Sequence, residues 1–291
     1  MNITFSVIVP TYNRLQLLRN TLDSLFRQDF RDYEIIVVND GSSDGTREFL
    51  DKLQAEGKLR CFHQENQGPS RGRNLGLKHA TKDYIACIDD DCLAPSGWLA
   101  RYADNIAATG CDGCGGGAVT GNRENIWAVT NDHIMNFFKK MVNDGSTVLP
   151  FLTSNNTVYS TAALKKVNGF DPSFRLGAEE RDLNLRLAEY GAKLIYDPEI
   201  VIEHHNDENV VKFFRHQFLA GKGSFLYYRN AKRRAGTVPT AAPKKVYFRL
   251  LVSPWSSFSF MRAAIVSVLI VLGQATVTLG YVTARINQNG R

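Results

Sequence analysis

Residues 5–25, FSVIVPTYNRLQLLRNTLDSL, place a run of apolar, β-branched side chains directly before an amphipathic one. FSVIVP is short, almost wholly apolar and closed by Pro10, the pattern of a strand buried on both faces. Beyond it Leu15, Leu18, Leu22 and Leu25 recur at intervals of three and four, which puts one apolar stripe on a helix that Asn13 is placed to cap. The unit then repeats. EIIVVND precedes a helix begun near Asp44, LRCFHQEN precedes one over 69–80, and DYIACIDDD precedes one over 96–108. Such alternation specifies an α/β fold with a mostly parallel sheet covered on both faces, and ligands at the carboxyl ends of its strands. The polar residues that follow the strands then share one crevice: Thr11 and Tyr12, Asn39 and Asp40, Asn66 and Gly68, and the triplet Asp89, Asp90 and Asp91.

The 291 residues are 44% hydrophobic, enough for a large core in one or two domains. Charge is divided sharply along the chain. None of the 29 acidic residues follows Glu208, whereas 13 of the 35 basic residues do. The body is therefore net negative and the tail strongly positive, which points the tail at an anionic surface. No nucleic-acid-binding motif accompanies the basic stretch, so nucleic acid is not an expected partner. The five cysteines show no framework spacing, and the opening residues lack a basic, long apolar signal segment, so a reducing cytosol is expected. Cys111 and Cys114 form a C-x-x-C without the second pair that a structural zinc would need, and plain buried thiols are expected.

After about residue 110 the alternation lapses, and CDGCGGGAV reads as a flexible loop. AEERDLNLRLAEYG and residues 208–231 read as helices, and AKRRAGTVPTAAPKK as a basic linker over 231–245. Residues 263–284 hold 22 positions without a charge, bracketed by Arg262 and Arg285. As a helix they reach ~33 Å, the thickness of a bilayer's hydrocarbon core, so a membrane-associating segment over 246–291, with a transmembrane helix at 263–284, is expected. Ten basic residues and no acidic one lie between Lys212 and Arg249, which by the positive-inside rule keeps the main domain on the cytoplasmic face.

Asp89 and Asp91 are one residue apart at a strand end, and strand alternation would turn both to the same side. Two converging carboxylates make a hard, oxygen-rich site for Mn²⁺ or Mg²⁺, able to bridge to phosphate oxygens. SVIVPTYNRLQLLRNTLDSLFRQ, EIIVVNDGSSDGT, ENQGPSRGRNLGL, YIACIDDDCLAPSGWL and NGFDPSFRLGAEERDLNLRLAEYGAKLIYDP, in that order, resemble the successive signatures of family 2 glycosyltransferases, inverting enzymes of the GT-A fold. The resemblance implies a Rossmann-like nucleotide half (1–110) joined to an acceptor half (111–230). It also implies transfer of a sugar from a UDP-, GDP- or dTDP-sugar to a glycan or lipid-linked acceptor.

By the same resemblance, Pro10, Thr11, Tyr12, Asp40, Asn66, Arg71, Asp89 and Asp90 line the nucleotide-sugar site. Asp89 and Asp91 ligate the metal, with a histidine from VIEHHND beside them. Adjacent histidines on a strand face opposite ways, and His205 is taken over His204. The family carries Glu-Asp at the start of the late helix where this chain has Glu179-Glu180, which makes Glu180 the expected base and Glu179 its neighbour. A nucleotidyltransferase would share the α/β half and the metal but needs a glycine-rich phosphate loop that PTYNRLQ lacks. A non-catalytic, membrane-tethered nucleotide-sugar binder is the third reading.

Overall fold

The computed structural model describes residues 3–142, 151–174, 177–236 and 244–289. Among the described residues, β1 (Phe5–Thr11), β2 (Tyr33–Asn39), β3 (Arg60–His63), β4 (Tyr84–Ile88), β5 (Cys92–Leu93), β6 (Gly113–Thr120), β7 (Asn156–Ser160) and β8 (Leu194–His204) form one sheet. Its order is β3-β2-β1-β4-β7-β6-β8-β5. β3, β2, β1 and β4 are mutually parallel, β7 runs against both β4 and β6, and β8 is parallel to β6. The helices are α1 (Leu15–Leu25), α2 (Thr46–Ala55), α3 (Pro69–His79), α4 (Trp98–Thr109), α5 (Ile126–Val142), α6 (Thr161–Lys166), α7 (Glu179–Glu189), α8 (Val210–Ala235), α9 (Lys244–Val252) and α10 (Phe260–Asn289).

The first half is as its pattern specifies. Every residue of β1 is buried, and alternation sends Phe5, Val7 and Val9 into the core with Leu18, Leu22 and Leu25, while Ile8 enters a second core on the other face with Ile85, Tyr159 and Leu183. Asn13 does not cap α1. It adopts a positive φ of 51°, accepts from the Ser43 amide at 2.8 Å, and leaves the Leu15 amide to Asp44, 2.9 Å away. The cap is thus supplied across the crevice by the loop after β2.

CDGCGGGAV is not a loop but holds β6, a central strand with both neighbours paired. Its glycines serve packing. A Cβ on Gly113 would lie 2.7 Å from the Leu194 side chain, and one on Gly116 would run into the Ile200 carbonyl oxygen. The sheet therefore continues without a break across residue 110. The linker expected at 231–245 starts inside α8, and residues 237–243 lie outside the described residues.

β6 and β8 change register between Gly116 and Gly117, and the irregularity frees backbone groups that Asn156 satisfies. Its amide donates to the Gly117 and Ile200 carbonyls at 2.6 and 3.0 Å, and its oxygen accepts from Trp98 Nε1 at 2.8 Å and Tyr102 OH at 2.7 Å. All four partners belong to one wholly buried junction of α4, β6, β7 and β8. Asn156→Ala strands both donors and both carbonyls, at 1–3 kcal/mol for each group that cannot relax. We expect a loss of about 3 kcal/mol or more in denaturant unfolding; a loss under about 1 kcal/mol would mean that water replaces the amide.

Candidate active site

The carboxyl ends of β1, β2 and β4 open into a cavity of ≈ 1830 Å³. Pro10, Thr11, Tyr12, Asp40, Asn66, Asp89, Asp90, Asp91, Glu179 and Glu180 all line it; Arg71 and His205 do not. The chain thus brings together most of the residues singled out from sequence, and the two exceptions have simple geometric causes. α3 turns a buried stripe of Ser70, Arg73 and Leu77 inward, so Arg71 projects outward to Gln67 at 3.0 Å and Arg73 takes the inner place. His205 lies past the end of β8, where its ring stacks over Gly121 and its Nε2 sits 3.0 Å from Glu203. His204 faces the cavity instead.

The acidic triplet does not follow strand alternation, because β4 ends at Ile88 and the chain turns, with the Cys92 amide bonded to the Asp89 carbonyl at 3.2 Å. Asp90 and Asp91 consequently share one guanidinium: Arg14 Nη1 lies 3.1 Å from Asp90 and 2.8 Å from Asp91. Asp90 also accepts from Thr11 Oγ1 at 2.6 Å, so both side chains are spent on each other and Asp90 is a buried strut rather than a surface for the donor. Asp89 stands apart, paired to the buried Arg73 at 2.6 Å and one-third exposed to the cavity. Asp40 is likewise committed: Gln64 Nε2 and the amides of Gln67 and Gly68 donate to it at 2.6–2.9 Å and shape the loop that presents Asn66.

Burial, with Asp91 adding to it against Arg14, pushes the Asp90 carboxyl up to about 6, while His204 and Arg14 overcome burial and hold Asp91 well below the usual carboxylate range. His204 is clasped between two acids, Asp91 at 3.5 Å from Nε2 and Asp132 of α5 at 3.2 Å from Nδ1. Burial opposes its charge, but these bonds raise it to about 10. Asp91 and His204 face each other as an oxygen and a nitrogen donor of one divalent cation would, and Asp132 would orient the imidazole from behind. The neighbouring Cys92 Sγ does not suit Mn²⁺ or Mg²⁺, since burial keeps its thiol protonated and sulfur is a soft donor. Once His204 gives up its Nε2 proton, this donor set fits a divalent cation, with the imidazole favouring Mn²⁺ over Mg²⁺.

A second Asp-Cys-His group, Asp51, Cys61 and His63, is held differently. Asn39 Oδ1 accepts from the Ser42 amide, so its Nδ2 faces His63 Nδ1, and the ring's Nε2–H is directed at Asp51 2.9 Å away. The nitrogen nearest the other donors therefore carries a proton, and the group serves as a strut under the loop after β2. All five cysteines are buried and unpaired, as expected from sequence.

Opposite the triplet, α7 begins with Glu179 and Glu180 behind Gly177 and Ala178, both at positive φ. Glu180 Oε1 accepts from Ser154 Oγ at 2.8 Å. Glu179 is buried at the cavity wall, its Oε2 has no hydrogen-bond partner among the described residues, and burial and the neighbouring Glu180, against Arg73, push its carboxyl up to about 8. Further along the helix Asp182 pairs with Arg186 at 2.7 Å, an i,i+4 pair visible in sequence, and also with Arg234 of α8 at 2.8 Å. Arg14, Arg73, Asp132 and Ser154 were not singled out from sequence; of these only Arg73 carried a signal, its phase on α3.

The glycosyl transferase family 2 model matches residues 6–167. A mannosyltransferase from Pyrobaculum calidifontis, solved with GDP-Man and Mn²⁺, superposes with a TM-score of 0.64 at 19% identity, covering 96% of this chain and 86% of that one. TarS (residues 1–349) of S. aureus with UDP-GlcNAc gives a TM-score of 0.57 at 18% identity, covering 99% and 93%. These likenesses define a GT-A glycosyltransferase fold. The chain belongs to glycosyl transferase family 2. Among curated relatives, the GalNAc(5)-diNAcBac-PP-undecaprenol β-1,3-glucosyltransferase of Campylobacter jejuni is 42% identical over 97 residues, 32% of this chain and 31% of that protein. EpsJ of Bacillus subtilis, an uncharacterized glycosyltransferase, is 38% identical over 113 residues, 38% of this chain and 33% of that protein. The matches span only 12% to 38% of the curated relatives' lengths.

Glu179 yields a pH test. The native carboxyl keeps its proton up to about pH 8, while the unfolded one releases it near its ordinary 4.5, so the native state holds more protons across that window and stability falls as pH rises. Gln is neutral throughout. The Tm advantage of Glu179→Gln over the parent should therefore grow between pH 5 and pH 8; an advantage independent of pH would show that Glu179 is ionised in the folded chain.

Proposed function

We propose that this chain is a divalent-metal-dependent, inverting glycosyltransferase that moves a sugar from a nucleoside diphosphate sugar to a glycan or lipid-linked acceptor. The observation that carries the reading is the single cavity in which Asp89, Asp91 and His204, at the strand ends, stand opposite Glu179 and Glu180. Asp89, Asp91 and His204 would hold Mn²⁺ or Mg²⁺, which when bound supplies positive charge for a departing nucleoside diphosphate. Tyr12, Asp40 and Asn66 flank the place for the nucleoside. Proposed for Glu180 is the role of base: Ser154 fixes one carboxylate oxygen and leaves the other to take the proton of the acceptor hydroxyl. The hydroxyl oxygen bonds to the anomeric carbon from the face opposite the diphosphate, the bond to the diphosphate oxygen breaks, and the configuration inverts. Arg73, buried, is bonded to Asp89 and lies within electrostatic reach of Glu180 and Glu179, so its charge offsets acids on both sides of the cavity.

Glu180→Gln should bind UDP or GDP with Mn²⁺ as the parent does and lose transfer by about 10²-fold or more. Asp91→Asn should lose the Mn²⁺-dependent nucleotide binding itself in calorimetry. Undiminished transfer by Glu180→Gln would remove that residue as the base, and nucleotide binding with no turnover in the parent chain would favour the non-catalytic reading.

The tail supports a place at a membrane surface, with the active site on the cytoplasmic side. α10 is long and apolar enough to cross a bilayer, yet one side of it is packed on the domain. Val266 and Ile270 are buried with Phe213, Ile134 and Leu250, and farther on the helix meets α8 so closely that a Cβ on Gly221 or Gly280 would strike the opposing backbone. A crossing α10 would drag Arg215 and Lys222 of α8 toward hydrocarbon. The outward stripe Ile265, Val268, Leu272, Ala275, Leu279, Val282 and Ile286 repeats at three and four and is exposed throughout, as a helix lying in the membrane plane requires. Exposed Phe248, Trp255, Phe260 and Met261 extend the apolar face, with Lys244, Lys245 and Arg249 nearby on α9 to meet anionic headgroups. The chain should co-sediment with anionic vesicles and resist high-salt extraction, and Leu272→Asp/Leu279→Asp should release it without lowering Tm. Sedimentation unaffected by both aspartates would exclude this face as the contact.

A further inference from the structure

The catalytic cavity continues well past the glutamates, along a face of α8 that includes Lys222, Leu226, Arg229 and Arg233. Other faces of α8 pack on α10 at Gly221 and on the start of α7 at Gly223, and these cations line the cavity between them. Among the described residues, none of Lys222, Arg229 and Arg233 forms a salt bridge, in contrast to Lys212 with Asp207 and Arg234 with Asp182 and Glu189. The hydrogen bonds of the Arg229 side chain, among the described residues, go to the amide oxygen of its neighbour Asn230, whose own amide reaches Asp171. Burial, and then the like charge of Arg233, lower the Arg229 guanidinium from its ordinary value, and the nearby Asp171 carboxylate offsets this only in part. Ala284 and Ile286 of α10 line the same end of the cavity, and Ile286 also closes the outward apolar stripe. A guanidinium pair thus borders directly on the face assigned above to lipid.

We propose that the Arg229/Arg233 end of the cavity binds the phosphate or diphosphate of a lipid-linked acceptor whose hydrocarbon chain runs onto α10. The proposal rests on the transferase reading and deepens it by naming the acceptor's anionic anchor. Its spacing is set by the fold. Gly223 abuts Gly177 and Ala178 at the start of α7, beside Glu179 and Glu180. Arg229 and Arg233 are six and ten residues farther along α8, or about 9 and 15 Å at 1.5 Å per residue. A phosphate held there would place a short saccharide, rather than the lipid, beside Glu180. Arg suits the task because its planar fork matches phosphate oxygens in pairs.

The test is calorimetry with farnesyl diphosphate in EDTA, which silences any cation-dependent nucleotide site. The parent chain should bind farnesyl diphosphate at least tenfold more tightly than inorganic pyrophosphate, and should bind farnesol at least tenfold more weakly. Arg229→Glu/Arg233→Glu should lose at least tenfold in farnesyl diphosphate affinity, with Arg229→Lys/Arg233→Lys recovering part of it. UDP or GDP binding with Mn²⁺, unchanged in both variants, verifies that they fold. Equal farnesyl diphosphate binding by the charge-reversed variant, or equal affinity for farnesol and farnesyl diphosphate, overturns the proposal. So does a response to phosphatidylglycerol vesicles with none to farnesyl diphosphate, which would reduce the arginines to general surface attraction. Failure of UDP and GDP to bind with Mn²⁺, alongside intact farnesyl diphosphate binding, would strike the donor reading and leave this site standing.

Discussion

Three adjacent carboxylates can be folded into a largely enclosed turn only if positive charge is brought to meet them, and Arg14 and Arg73 meet that requirement. Arg14 comes from the loop after β1 and bridges Asp90 and Asp91; Arg73 comes from α3 and takes Asp89. Removing Arg14 would leave the buried Asp90 and Asp91 short of positive charge, a larger penalty than losing a surface pair. The two arginines also fix which acids are available. Asp90 is consumed as a strut, whereas Asp89 and Asp91 keep an oxygen toward the cavity or toward His204. The turn is therefore held together by the same charges that decide which acids face the cavity.

The second half of the chain completes this arrangement through β6 and β8. Glycines in β6 let bulky side chains pack over the strand, Asn156 repairs the register shift that follows, and β8 then carries His204 to the cavity, where it meets Asp91 and Asp132. α7 presents its two glutamates from the other wall, tied back by Ser154 and braced by α8 at Gly223. Catalytic geometry and membrane geometry are thereby coupled, since α8 packs on α7 with one part of its surface and on α10 with another. A cavity that begins at the aspartates of the strand ends and continues to a cationic rim beside the apolar face of α10 follows from that single helix.

Much of this was legible from residue pattern. Buried strands and amphipathic helices in the first 110 residues have periods that no other fold class satisfies, and strand ends in a parallel sheet converge by topology, which brought Thr11, Asp40, Asn66 and the aspartates to one crevice. The phase of α3 was legible too: Ser70, Arg73 and Leu77 share a stripe, and that spacing turns Arg73 inward and Arg71 outward. CDGCGGGAV was not, because glycine lacks the side chain whose periodicity identifies a strand, and only its neighbours Leu152, Leu194 and Ile200 reveal why a Cβ is excluded.

Sequence by itself determined the fold class, the location of the crevice and the division between an acidic body and a basic, apolar tail, because these depend on local periodicity, composition and the order of elements; the family was legible as a resemblance in five ordered motifs. Tertiary structure alone decided which of two adjacent histidines faces the acids, which aspartates are spent on Arg14, and that α10 is packed along the domain on one side. Those outcomes turn on where a strand stops and on contacts between residues tens of positions apart, and such distances are not written in any short stretch of chain.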